Sequence, residues 1–146
     1  MEIGEVPKEL AEPTGKKTYE VEGNSVRLGW KIFEPTEVLS SQETSNGKKA
    51  IVYLPGWSYT EKAKSTEILS QTFADYSHSP TFVVDTRAEQ IVPDFLGRNA
   101  EAVRQFIQEK GLKDLTIVGN SLGGAEAIHL VASLQERNPD IKKDGL

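Results

Sequence analysis

Three short apolar runs, separated by longer segments with helical spacing, constrain most strongly what this chain can fold into. The runs read KAIVYL, TFVVD and LTIV, and their apolar residues do not alternate with polar ones. Such runs are typical of strands that are buried on both faces, as in a parallel sheet. Between and after them, segments 60–76, 93–110 and 122–136 have the spacing or composition of helices. The order predicts an α/β fold with parallel strands and right-handed crossovers.

A hairpin is predicted before the first run. Tyr19 and Val21 fall on one face, a Gly-Asn pair follows at 23–24, and residues 26, 28, 30 and 32 are again apolar. Alternation on both sides of a turn pair indicates two antiparallel strands. The predicted architecture is therefore a three-layer α/β sandwich with a mostly parallel sheet and an N-terminal antiparallel hairpin. Residues 1–16 are expected to form a flexible arm, and 17–146 one domain.

Composition excludes several classes of function. The 146 residues carry a net charge of −5, which argues against a protein that binds the phosphate backbone of nucleic acids. There are no cysteines, so disulfides and thiolate-ligated metals are ruled out. His78 and His129 are too far apart for a zinc motif, and we expect no metal and no organic cofactor. No run approaches the ~18 apolar residues that cross a bilayer, and the first residues lack an apolar signal core, so we expect a cytoplasmic protein.

The residues Gly119, Asn120, Ser121, Leu122 and Gly123 fit the pattern G-x-S-x-G. The pattern lies directly after the third predicted strand and before a predicted helix, which is the context that a nucleophile elbow requires. A serine on such a turn needs unusual backbone angles, and glycines at 119 and 123 remove β-carbons that would collide with it. The alternative is that Ser121 caps the helix and the glycines only ease packing.

The helix that follows the serine supports the first interpretation. Free N–H groups and a partial positive charge at a helix N-terminus point toward the same position as the serine. The N–H of Leu122 is therefore a candidate donor to an oxyanion. A dinucleotide fingerprint needs a glycine where Ser121 stands, and the lysine of a P-loop is absent.

Three strand ends together resemble the N-terminal half of an α/β-hydrolase. They read YLPGWS at 53–58, VVDTR at 83–87 and VGNSLGG at 118–124, and the resemblance covers residues 17–146. It implies an incomplete α/β-hydrolase fold in which Ser121 is the nucleophile and the backbone N–H of Trp57 is the second oxyanion donor. Pro55 stands where the family often has histidine. Asp85 and Arg87 resemble a pair that holds a loop.

The resemblance also implies an acid and a histidine later in the chain. His129 lies eight positions along the helix from Ser121, about 12 Å at 1.5 Å per residue, which is too far for a hydrogen bond. His78 precedes a strand and is expected at the opposite end of the sheet. The remaining acids, Glu126, Glu136, Asp140 and Asp144, do not follow a further predicted strand. We therefore expect a fragment that lacks the catalytic histidine and acid.

A missing neighbour would leave the strand at 115–118 on the edge of the sheet. An apolar edge strand has unpaired backbone groups and invites pairing with another chain. Self-association through residues 115–118 is accordingly expected.

The leading hypothesis is a serine hydrolase that acts on a carboxylic ester, thioester or amide of a small acyl substrate. One alternative is a non-catalytic fragment or interaction module that retains the elbow, which the absence of a base favours. Another is an acyltransferase, since a fold does not fix the reaction.

Overall fold

The computed structural model describes residues 15–37, 49–55, 63–86 and 95–145. Strands and helices alternate from the first apolar run onward, as predicted. In chain order the elements are β1 (Gly15–Val21), β2 (Asn24–Phe33), β3 (Lys49–Leu54), α1 (Ala63–Ser77), β4 (Thr81–Asp85), α2 (Phe95–Lys110), β5 (Asp114–Gly119), α3 (Leu122–Arg137) and β6 (Lys142–Gly145).

The strands form one mixed sheet in the order β1-β2-β4-β3-β5-β6. The pairs β1–β2 and β2–β4 are antiparallel, whereas β4–β3, β3–β5 and β5–β6 are parallel. Helices α2 and α3 pack together on one face, and α1 covers part of the other. The predicted layered architecture with its N-terminal antiparallel hairpin is confirmed.

The prediction that residues 115–118 form an edge strand is wrong. Strand β6 pairs with β5 in parallel, from Asp114 opposite Lys142 to Ile117 opposite Gly145. The N–H of Lys142 also donates to the carbonyl of Lys113 at 2.8 Å. The sequence KKDG of β6 has no apolar signal, and a short lysine-bearing strand is the kind that sheets place at an edge. Self-association through 115–118 therefore loses its structural basis.

The hairpin turn lies one residue earlier than the Gly-Asn pair indicated. Val21 pairs with Asn24, so the two turn residues are Glu22 and Gly23. Both have positive φ, 50° and 82°, as a two-residue turn of the primed type requires. Strand β1 begins at Gly15, inside the segment predicted to be an arm.

The burial of the central strands follows the sequence pattern. All residues of β4 are buried, as are those of β3 after Lys49. In β5, Leu115 and Ile117 are buried, whereas Thr116 and Val118 on the opposite face are half-buried. Both faces of the sheet are thus filled at its centre, and the carboxyl ends of β3, β4 and β5 meet at one edge.

Candidate active site

Ser121 occupies a strained turn between β5 and α3. Its φ of 57° and ψ of −126° lie in a region that residues with a side chain rarely adopt. The side chain is exposed and makes no capping hydrogen bond to the helix. Helix capping, the competing interpretation of this serine, therefore does not account for the conformation.

The close approach of α3 to the end of β5 explains the first glycine of the motif. A β-carbon at Gly119 would lie 2.4 Å from the carbonyl oxygen of Gly123 and 2.7 Å from the α-carbon of Gly124. Both are backbone atoms, so neither can move aside cheaply. Gly123 is itself buried at the start of α3. At Gly124 the nearest atom to an added β-carbon is 3.8 Å away, an ordinary contact.

Backbone hydrogen bonds hold the turn on both sides. The N–H of Asn120 donates to the carbonyl of Leu54 at 3.0 Å, which extends the β3–β5 pairing past the strand ends. The N–H of Gly123 donates to Asn120 at 2.8 Å, and that of Gly124 donates to Ser121 at 2.9 Å. Leu122 is the first residue of α3, and the amide of a first helical residue has no partner within its helix.

Strand β3, which precedes Trp57 in the chain, ends beside this turn. Leu54, the last residue of β3, is in register with Gly119, the last residue of β5. Trp57 itself and Arg87 lie outside the described residues, so the second oxyanion donor and the pairing of Asp85 with Arg87 stay predictions. Asp85 is buried at the carboxyl end of β4.

Neither histidine of the chain lies at the turn. His78 is between α1 and β4, at the amino ends of the parallel strands, and the five residues of β4 span roughly 16 Å. His129 is exposed on α3 and lines a cleft with Glu22 and Arg137, beside the turn of the β1–β2 hairpin. The positions expected from the sequence thus agree with the structure.

The acids near the end of the chain lie on the surface or outside the described set. Glu136 is exposed. Asp140 is exposed as well and pairs with Lys113 at 3.1 Å. The side chain of Asp144 is not among those the structure describes. The described acids Glu136 and Asp140 therefore give no sign of a catalytic acid at the elbow.

Glu126, unlike Glu136 and Asp140, lies in the interior of the protein. It is 1% exposed, and its Oε2 accepts hydrogen bonds from the hydroxyl of Thr86 and the amide of Asn99, each at 2.8 Å. Burial raises the pKa of Glu126, against the effect of these two bonds. Sequence reasoning placed this residue among the acids of the chain but gave no indication that it is buried.

No helix among the described residues is both long and apolar enough to cross a membrane. Over the same ranges, no group of three or more His, Cys, Asp or Glu side chains is arranged to hold a metal ion.

Comparison with solved structures identifies the fold. The chain resembles a hyperthermophilic esterase from the archaeon Pyrobaculum calidifontis, with 18% identity over 90% of this chain and 42% of that one, and a TM-score of 0.57. An α/β-hydrolase from Novosphingobium aromaticivorans matches at 17% identity over 90% and 42%, with a TM-score of 0.58. An α/β-hydrolase from the metagenome of Lake Arreo, Spain, matches at 17% identity over 86% and 42%, with a TM-score of 0.54.

These matches show that the chain has a partial α/β-hydrolase fold. It spans less than half the length of each of these structures. No family model and no curated protein matches the sequence. The neighbours are hydrolases and esterases, and at this level of identity the likeness establishes the fold alone.

Proposed function

We propose that this chain forms the nucleophile half of a serine hydrolase that cleaves a carboxylic ester, thioester or amide. The conformation of Ser121 carries the proposal: an exposed, strained residue between a buried strand and a helix, with no capping bond to explain it. Strain of this kind persists where the surrounding structure holds it, and it concentrates at active sites.

The roles follow from the positions. The hydroxyl oxygen of Ser121 attacks the acyl carbon while a base takes its proton. The oxyanion that develops accepts a hydrogen bond from the amide of Leu122, at the N-terminus of α3, where the partial positive charge of the helix stabilises it. In this proposal the amide of Trp57 is the second donor, since β3, the strand that precedes it, ends next to Gly119.

In this proposal, neither histidine of the sequence is the base that takes the proton of Ser121. The sequence contains two histidines, and both lie away from Ser121. We infer that a histidine and an acid from polypeptide outside this sequence complete the site, with a small acyl compound as substrate. Hydrolysis and acyl transfer share these first steps and differ in the acceptor of the acyl group.

The first test measures whether the turn activates a nucleophile and needs no base. The chain has no cysteine, so Ser121→Cys introduces a single thiol. Its pKa is read from the pH dependence of alkylation by iodoacetamide. We expect a pKa of about 7.5 or lower, against the usual value of about 8.5, because the helix N-terminus favours the thiolate. The control is Thr72→Cys, an exposed position in the middle of α1. Equal pKa values at both positions would contradict the proposal.

The second test supplies the base. Wild type is treated with a fluorophosphonate probe and a high concentration of imidazole. The serine oxygen bonds to phosphorus, fluoride leaves and imidazole takes the hydroxyl proton. We expect imidazole-dependent labelling of Ser121, located by peptide mass spectrometry, and none in Ser121→Ala.

A non-catalytic interaction module is the second candidate, favoured by the distance of both histidines from the elbow. It predicts an absence of imidazole-dependent labelling even where the Ser121→Cys thiol is reactive. The labelling experiment therefore separates the two functions.

A further inference from the structure

Glu126 is the most deeply buried acid of the described residues, and the proposed reaction does not use it. It lies on α3, five residues after Ser121 and beside the buried Ala127. One oxygen of its carboxyl receives two hydrogen bonds, from Thr86 and Asn99. A buried carboxyl costs folding free energy unless its partners compensate for the loss of water.

The two partners come from different parts of the chain. Thr86 directly follows β4, at the edge of the sheet where the parallel strands end, and it is buried. Asn99 lies in the first turns of α2 and is buried as well. One oxygen of Glu126 therefore joins α3 to α2 and to the segment that leaves β4.

This junction lies close behind the elbow. Five residues of helix correspond to a rise of about 7.5 Å, and helical side chains lean toward the N-terminus of their helix. The first turn of α3 has two further supports, the bond from Asn120 to Leu54 and the packing of Gly119 against Gly123. Those fix the turn against β3 and β5, and the carboxyl of Glu126 adds a polar contact between α3 and the end of β4.

We propose that Glu126 is a positioning residue of the elbow: its acceptor oxygen, held by Thr86 and Asn99, sets the position of the N-terminus of α3 relative to the carboxyl edge of the sheet. The inference rests on the proposed function in treating Ser121 as the reacting group. Loss of the acceptor shifts the first turn of α3, and small shifts of a reacting group reduce rates strongly.

The experiment uses the thiol of Ser121→Cys in the full chain as the reporter. Glu126→Leu removes the acceptor and leaves Thr86 and Asn99 without their partner on α3. We expect a higher thiol pKa and alkylation at neutral pH that is about tenfold slower. Glu126→Gln keeps an acceptor oxygen and removes any negative charge, so alkylation is expected to be equal or faster.

A matched control separates positioning from general loss of stability. Ser70 is fully buried on α1 and donates a hydrogen bond to Thr66 at 2.7 Å, on the other side of the sheet. Ser70→Ala in the same background is expected to lower the free energy of unfolding and leave the thiol pKa unchanged. Thr86→Val removes one donor and keeps the shape of the side chain, so it is expected to give an intermediate thiol pKa. This variant replaces Glu126→Leu in the test if Glu126→Leu does not fold.

The inference is overturned if Thr86→Val and Glu126→Leu leave the thiol pKa at the value of the Ser70→Ala control. It is also overturned if Glu126→Gln slows alkylation as much as Glu126→Leu. Failure of the proposed function looks different: the thiol pKa responds to Glu126, but wild type is never labelled at Ser121 in the presence of imidazole.

Discussion

The two faces of the sheet differ in the size of the buried apolar cluster that the described residues form. Under α2 and α3 lies a large cluster of buried side chains, which includes Leu28, Phe106 and Leu130. Under α1, the buried cluster among the described residues consists of Tyr53 and Val83, with Phe33, Phe73 and Val118 partly buried against it. Helix α3, which follows Ser121, contributes to the larger cluster, on what we call the α2–α3 face.

The orientation of α1 accentuates this difference. One flank of α1 is tied to β2 and the residues after it: Lys31 pairs with Glu67 at 2.8 Å, and the N–H of Thr36 donates to Asp75 at 2.7 Å. Elsewhere on the helix, Leu69 and Tyr76 are 42% and 90% exposed. Among the described residues, the larger buried cluster thus lies on the face that holds the candidate nucleophile, while α1 exposes apolar side chains on its outer surface.

The largest expected effect on stability comes from truncating a buried side chain on the α2–α3 face. Phe106 is fully buried, and its ring centroid lies 4.8 Å from that of Trp30 and 5.8 Å from that of Phe82. Phe106→Ala should lower the free energy of unfolding by about 3–5 kcal/mol, measured by urea denaturation. Phe73→Ala, on the face of α1, should cost about 1–2 kcal/mol because that ring is only partly buried. Equal losses of unfolding free energy in the two variants would mean that the two faces contribute equally to stability.

A smaller effect on stability is expected from adding a β-carbon at the turn that holds Ser121. Gly119→Ala places a β-carbon against the backbone of α3 and should destabilise the chain by about 1–3 kcal/mol. Gly124→Ala meets only ordinary contacts and should be neutral or stabilise the helix by up to about 1 kcal/mol. If the two substitutions had the same effect in urea denaturation, the tight contact at Gly119 would not limit the turn.

Acids on the two sides of the sheet should give opposite pH dependences. Burial raises the pKa of Glu126, so its protonated form is favoured in the folded chain, and stability falls as pH rises from about 4.3 through the raised pKa of the folded state. The hydrogen bond from the N–H of Thr36 lowers the pKa of Asp75. Its contribution is therefore present above about pH 3.9 and is lost as pH falls through the lowered pKa of the folded state.

Unfolding measured across pH in Glu126→Gln and Asp75→Asn checks both signs. Relative to Glu126→Gln, wild type should lose stability toward high pH. Relative to Asp75→Asn, it should lose stability toward low pH. Parallel curves would refute the contrast.

The smallest effect is expected at the exposed apolar residues of α1. Tyr76→Ser and Leu69→Ser should each change the free energy of unfolding by less than about 0.5 kcal/mol. Leu130→Ser, on the α2–α3 face, is the matched control and should be strongly destabilising because Leu130 is fully buried. A loss above about 1 kcal/mol at Tyr76 would mean that this part of α1 is covered after all.

Much of the fold could be predicted because burial leaves a local signature in the sequence. The run KAIVYL predicted a strand buried on both faces, and alternation from Val26 to Ile32 predicted the hairpin; both are confirmed. Strand β6 left no such signature, since Lys142 and Lys143 pair through their backbone and not through apolar side chains. The wrong edge assignment of 115–118 followed from that.

The strained turn at Ser121 could be predicted in the same way, because a turn of this kind between strand and helix demands glycines at fixed positions. That Ser121 is a nucleophile stays a prediction. The burial of Glu126 could not be predicted, because an acid on a helix is ordinarily exposed and its partners Thr86 and Asn99 are 40 and 27 residues away in the chain. A local hint is that Glu126 shares one helix face with the buried Leu130 and Leu134, at the spacing of successive turns. That pattern alone is too weak to distinguish from chance.

The hydrogen bond from Asn120 to Leu54 has a dynamic consequence. It joins Asn120, the residue before the serine, to Leu54, the last residue of β3. Separation of the end of β3 from the residue that precedes Ser121 therefore requires this bond to break. The backbone amide proton of Asn120 exchanges with solvent only when this bond opens. Its exchange rate therefore reports how often the end of β3 separates from the serine turn.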